Sequence, residues 1–186
     1  YVQNAWRGLQ ILDFSDPAHP ALLARLPLTG TPVGLYLRGS VVLVASRDHV
    51  AWLLDTATGA ARSTAGSRLW AVDVANPAAP AVMTEVAITG SLEDTRLVGD
   101  VLYTVSRTWS WWGMEPMPGG VAPAAPEPPA DATIVSSFDV STGTPAPVAR
   151  LDLPAAGWDT HAHVTQERIT LSRAGWGEGG PETILT

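Results

Sequence analysis

The chain has 186 residues, 46% hydrophobic and 16% charged, with a net charge of −7 and no cysteine. That length suits one domain with a real core, and the lack of cysteine excludes disulfides, thiolate zinc sites and cysteine nucleophiles. All 11 basic residues are arginine, and an acidic chain without a basic patch argues against nucleic acid as a partner.

Strand signals dominate. Residues 1–4, 8–14, 21–28, 33–37 and 41–46 are short apolar or alternating runs divided by turn residues. Arg38-Gly39-Ser40 sets a hairpin between the last two. A polar loop is expected from Arg47 to Ser67. Strands follow at 68–74, 81–88, 92–98 and 101–106, with Gly99-Asp100 as the next hairpin turn. The last group is 133–140, 148–153, 158–164 and 168–173, and a final strand starts at Thr183. Glycine and proline, 17 and 16 residues, interrupt every candidate helix. Residues 113–131 hold six prolines and should form an extended or mobile loop. No apolar run approaches the roughly 18 residues of a membrane helix. The chain opens and stops inside strand-like runs, at Tyr1 and Thr186. It therefore reads as a fragment, with no signal peptide in view.

One phrase is written three times: Leu9-Gln-Ile-Leu-Asp13, Leu69-Trp-Ala-Val-Asp73 and Val135-Ser-Ser-Phe-Asp139. The step from that Asp to the Arg of a Ser-Arg pair is 34 residues each time, ending at Arg47, Arg107 and Arg173. A fixed step between similar phrases marks one supersecondary unit stacked on copies of itself. Asp16-Pro17 and Asn76-Pro77 supply corners, since an Asx side chain bonds nearby backbone and Pro presets φ. Four antiparallel strands per unit is the pattern of a β-propeller. A β-sandwich competes, but it does not need three near-copies in tandem. The expected fold is all-β: about three and a half four-stranded blades, open rather than closed. Residues 1–28 end one blade, 33–88 make the next, and 91–153 make a third around the 113–131 insertion. Residues 158–186 start a further blade.

The Leu9–Asp13 phrase with Gly34-Leu-Tyr-Leu-Arg38, the Leu69–Pro80 phrase with Leu102-Tyr-Thr-Val105, and Thr133-Ile-Val-Ser-Ser-Phe-Asp139 together resemble a known family. It is that of the secreted bacterial and archaeal β-propeller domain proteins, distantly related to WD40 repeats. The Asp-Val-x-x-Pro-x-x-Pro phrase also resembles short propeller repeats of bacterial surface proteins. The resemblance implies an exported, envelope-associated protein that packs against the rest of its own propeller. It carries over no catalytic residue and implies no cofactor.

By analogy with propellers, 33–37 is an inner strand and 81–88 an outermost one. The loops after Arg47, Arg107 and Arg173 then share a rim with the turns at Gly30 and Gly90. That rim is rich in tryptophan: Trp6, Trp52, Trp109, Trp111, Trp112 and Trp176. Exposed aromatics beside arginine are frequent binding hot spots, so Trp109, Trp111, Trp112, Arg107, Trp52 and Arg47 are the candidate residues for a protein or glycan partner. The competing reading for Trp6, Trp52 and Trp176 is a plug at the end of the wedge between blades. The three arginines could ring the axis and hold an anion; the expectation is that each pairs with a carboxylate or carbonyl at its own blade end. Asp13, Asp73 and Asp139 are expected to cap turns.

Asp159, His161 and His163 have the one metal-like spacing, because alternate residues of a strand share a side. Two His and one Asp are not a closed ligand set, and that side corresponds to Leu35 and Leu37, which suggests packing. His19 and His49 lie in expected loops and add nothing to such a set. No nucleophile elbow, phosphate loop or dinucleotide fingerprint occurs. Two functions follow: a non-enzymatic interaction scaffold at the cell envelope, or a metal-dependent propeller hydrolase using His161 and His163.

Overall fold

The structure is a computed structural model that describes residues 1–54, 61–108, 132–154, 160–165, 168–177 and 180–185. At 50–54, 61–65, 154, 160–164, 173–177, 181, 182, 184 and 185 only the backbone is described.

Fourteen strands form four antiparallel sheets among the described residues. The first sheet holds β1 (Val2–Asn4), β2 (Gly8–Asp13) and β3 (Ala21–Leu26). The second runs in chain order through β4 (Thr31–Arg38), β5 (Val41–Leu54), β6 (Ala61–Asp73) and β7 (Ala81–Ile88). The third holds β8 (Ser91–Val98), β9 (Val101–Thr108), β10 (Ala132–Asp139) and β11 (Ala146–Pro154). The fourth holds β12 (Thr160–Val164), β13 (Ile169–Gly177) and β14 (Gly180–Leu185). These are the blades of an open propeller, as the repeats predict. The first strands β4, β8 and β12 approach one another, which makes them the inner strands.

Packing explains why the strands at the heart of each repeat are so uniformly apolar. Val41-Val-Leu-Val-Ala45 of β5 is buried on both faces. Val42 and Val44 join Leu9, Ile11, Leu28 and Trp70 in the wedge between the first and second blades. Val41, Leu43 and Ala45 join Leu69, Leu92, Leu102 and Phe138 in the wedge between the second and third. A smaller cluster of Val105, Val135 and Leu171 joins the third blade to the fourth. Each fully buried Leu contributes about 2 to 3 kcal/mol by leaving water. No blade has that burial alone, so stacking is what makes the fold stable.

Bulges recur at fixed places. In every complete outer strand one extra residue sits opposite the same point of its neighbour: Leu23 in β3, Met83 in β7 and Val148 in β11. The inner strands β4 and β8 bulge at Val33 and Glu93.

Two expectations about loops change. Residues 47–67 are mostly strand: β5 continues to Leu54 and pairs with β6 from Ala61 onward. Val50-Ala-Trp-Leu-Leu54 has the β-prone composition to do so, and a bulge between Ser46 and His49 re-registers the pair there. Likewise β13 runs past Arg173 to Gly177, and its partner starts at Gly180 rather than Thr183. The insertion 113–131 lies outside the described residues.

Candidate functional site

Up-and-down order within a blade places second-to-third strand connections and blade-to-blade linkers at one end, called here the upper rim. The hairpin turns at Gly39 and Gly99 and the Asx corners lie at the lower rim.

The lower rim is structural, and the repeated aspartates build it. The backbone N–H of Ser15, Ala75 and Ser141 donates to Oδ1 of Asp13, Asp73 and Asp139, 2.8 Å in each copy. Asp16 and Asn76 accept from Ala18 and Ala78 in the same way, at 3.0 and 3.1 Å. Adjacent corners are tied by Val74 N–H to the Ser40 carbonyl and Val140 N–H to the Asp100 carbonyl, 2.8 and 2.9 Å. Arg38 crosses to the next blade, donating to the Gly99 carbonyl at 3.0 Å and to the Asp100 carboxylate.

These turns link stability to pH. The Ser15 hydroxyl and N–H hold Asp13 below its ordinary 3.8, and the Ser141 N–H does the same for Asp139. A lowered folded pKa stabilises the fold above 3.8, and that contribution is lost as pH falls through the folded value. Asp13→Asn with Asp139→Asn keeps the acceptor and removes the titration. Its melting temperature should fall less than the wild type's between about pH 5 and about pH 2.5. Equal falls on thermal melts would refute the linkage.

The upper rim begins with the Ser of each Ser-Arg pair. Ser46 donates to the Thr29 carbonyl at 3.2 Å and Ser106 to the Thr89 carbonyl at 2.7 Å. Each hydroxyl thus fastens a blade to the linker arriving from the blade before. Ser67, fully buried, goes further: it donates to the Gly90 carbonyl and accepts from Leu92 N–H, both 2.8 Å. Ser67→Ala leaves two buried backbone groups unsatisfied and should cost about 2 to 3 kcal/mol, measurable by urea unfolding. A cost near zero would mean that water replaces the hydroxyl. Ser67 carries no motif, and only its place just before a repeated apolar phrase could have drawn attention to it.

Arg47 pairs with a carboxylate at its own blade end, Asp48, and more closely with one across the wedge, Glu93. Its Nη1 reaches Glu93 Oε2 of the next blade's inner strand at 3.2 Å, and its Nε lies 3.7 Å from Asp48 Oδ2. The bulge at Glu93 puts that carboxylate across the wedge. Arg107 occupies the equivalent place on β9, opposite Ser91, and Arg173 lies opposite Thr160 on β13. A further bond between blades joins inner strands: the Tyr36 hydroxyl donates to the Thr95 carbonyl at 2.6 Å. Burial pushes the Tyr36 phenol up, so it stays a donor. A Cβ on Gly34 would stand 2.1 Å from Thr95 Oγ1, so only glycine permits this approach.

The tryptophans divide. Trp6, in the β1–β2 turn, is 93% exposed and fills no wedge among the described residues; the Asn4 side chain accepts its backbone N–H and shapes the turn around it. Of the two tryptophans whose side chains are described, Trp70 is the one that fills a wedge, edge-on to His49 at 5.4 Å. His49 also bonds Thr29 Oγ1 at 2.8 Å and lies on β5, so it belongs to the rim rather than to an idle loop. Trp52 stands on the extended β5 opposite Ser63, and Trp176 on β13 opposite Pro181. Trp109, Trp111 and Trp112 lie outside the described residues.

His161 and His163 stand on β12 opposite Ser172 and Thr170. The same partners in the other blades place His161 with Pro32 and Leu92, and His163 with Leu35 and Thr95. The correspondence with Leu35 and Leu37 therefore shifts, because four residues separate the paired ends Val164 and Ile169 where two separate Arg38 and Val41, and the bulge at Val33 adds one more at His161. Asp159 lies outside the described residues. Among the described residues no group of three or more His, Asp or Glu could hold a metal ion.

Blades of this order and linkage define a propeller. The family model for the beta propeller domain matches residues 2–173, and the chain belongs to that family. Comparison with curated proteins and with solved structures returned no match.

Proposed function

We propose that this propeller is a non-catalytic, exported scaffold that grips a protein or glycan partner at the cell envelope through its upper rim. The observation that carries the reading is Trp6, a large aromatic 93% exposed in a tight turn. By topology its turn shares a rim with the ends of β5 and β13 that bear Trp52 and Trp176 and with the connection after β9, whose sequence holds Trp109, Trp111 and Trp112. Arg47 and Arg107 stand at the base of two of them. Exposed aromatics near arginine offer large contact area at low entropic cost. Export rests on the family resemblance in the sequence, and cell fractionation with an antibody tests it. A protein found wholly in the cytoplasm removes the envelope role.

The site test replaces Trp6, Trp109, Trp111 and Trp112 by alanine together. Capture from envelope extracts should fall at least about tenfold while the melting curve stays in place. Unchanged capture rejects the rim. One observation favours a second reading, the metal-dependent hydrolase: His161 and His163 stand on an inner strand, near the axis. Elemental analysis decides it, since a purified protein with less than about a tenth of an equivalent of metal has no such centre.

A further inference from the structure

On the upper rim, between the second and third blades, lies a cleft of about 320 Å³. Its walls include Asp48, Ser67, Arg68, Ile88 and Ser91. That volume is at the low end for a ligand site, so it suits one side chain or one small group rather than a long ligand.

The charges around it do not balance. Arg68 Nε is bonded to Glu85 at 2.8 Å and its Nη1 to the Ser67 carbonyl at 3.0 Å. Arg47 is bonded to Glu93 at 3.2 Å. Asp48 is left with the Thr31 hydroxyl at 3.1 Å and a more distant Arg47 Nε at 3.7 Å. Three carboxylates thus face two guanidinium groups, and the excess negative charge sits on Asp48. Its side chain is 66% exposed and open to the cleft.

The backbone at Asp48 is held out of the ordinary. With φ of 56° it is the one non-glycine residue at positive φ among the described residues. A left-handed conformation costs about 1 to 2 kcal/mol for most residues and less for Asp or Asn. Here it accompanies the bulge that turns β5 at the mouth of the cleft.

We propose that the cleft is a subsite for a single cationic side chain, Lys or Arg, of a protein partner. The Asp48 carboxylate receives the charge, Ile88 flanks the aliphatic stem, and Ser91 and the backbone of Gly66 and Gly90 complete the wall, with Arg68 held back by its bond to Glu85. The stem-and-head division matches how Lys and Arg bury their methylenes while keeping the charge paired. A chain of net charge −7 also attracts basic partners over distance. The subsite rests on reading the upper rim as the binding face.

The probe is Nα-acetyl-lysine N-methylamide, titrated into the ¹⁵N-labelled chain. Nα-acetyl-norleucine N-methylamide and methyl glucoside serve as uncharged comparisons. Amide shifts are expected at Asp48, Gly66–Arg68, Gly90 and Ser91 with the lysine probe only. Asp48→Asn, which keeps a residue tolerant of positive φ, should weaken them at least about tenfold. Asp16→Asn, the same charge change on the lower rim, should leave them unchanged. No shifts at the cleft, equal shifts with either uncharged probe, or shifts that survive Asp48→Asn would each overturn the proposal. The probe does not need the tryptophans. Cleft shifts together with unchanged capture by the tryptophan variant would retain the subsite and reject the aromatic rim, and the reverse pair would do the opposite.

Discussion

Replacing Gly90 by alanine is expected to destabilise the chain by about 3 kcal/mol or more. Gly90 has φ of 81°, where an L side chain is strained, and a Cβ there would lie 2.4 Å from the Arg107 carbonyl oxygen. That oxygen belongs to a strand held on both sides, so it cannot yield. The Gly90 carbonyl also receives the Ser67 hydroxyl, so moving the linker breaks the buried bond as well. Gly30 repeats the situation one blade earlier, with φ of 110° and a Cβ 2.6 Å from the Arg47 carbonyl. Gly39 is the control. It has φ of 56° but nothing within 4 Å of a Cβ, so its alanine variant should lose only about 1 to 2 kcal/mol. Urea unfolding of the three variants checks the order. Equal losses would show that conformation alone, without the collision, sets the cost.

Leu43→Ala should cost about 3 to 5 kcal/mol. Leu43 is fully buried on the β5 face that meets the third blade, among Leu69, Leu92, Leu102 and Phe138. The wedge is walled by two sheets, so a void there cannot close by moving one side chain. Val44, next in the chain, faces the opposite wedge and the first blade. Val44→Ala removes fewer atoms and should cost about 1 to 3 kcal/mol. Hydrogen exchange separates the two effects. The Leu43 variant should expose amides of β8 and β9 first, and the Val44 variant those of β2. Identical exchange maps would mean that the blades open as one unit rather than by pairwise contacts.

Much of the fold is written in the local pattern. The doubled phrase around Asp13 and Asp73 names both a strand and the turn after it, because the aspartate is a cap as well as a strand end. Its looser copy at Asp139 makes the same 2.8 Å bond despite a different corner sequence. The hairpin turns at Gly39 and Gly99 are legible for the same reason: the signal and its cause lie within a few residues. The long β5–β6 hairpin was less so. Arg47, Asp48 and His49 read as a loop, and a bulge absorbs them without ending the strand.

The candidate site is harder to read because its parts meet across blades. Glu93 and Arg47 are 46 residues apart, and Tyr36 and Thr95 are 59 apart. Nothing in either segment announces the other. Trp6 and Trp70 show the same limit. Both are tryptophans in the first half of the chain, yet one is 93% exposed and the other 3%. Their difference is set by strand position: Trp70 stands mid-strand facing a wedge, and Trp6 sits in a turn.

The extra residue in each outer strand bears on how copies of the molecule behave when crowded. A propeller's outermost strands offer free backbone donors and acceptors to any passing strand. In β3, β7 and β11 that row is broken at Leu23, Met83 and Val148, and those apolar side chains stand 41%, 48% and 63% exposed. A flat edge with such residues would invite sheet-to-sheet polymerisation; a kinked one cannot match the register of a second straight strand. The bulges therefore let the perimeter stay apolar without seeding fibres, and straightening β7 by deleting Met83 would open that route.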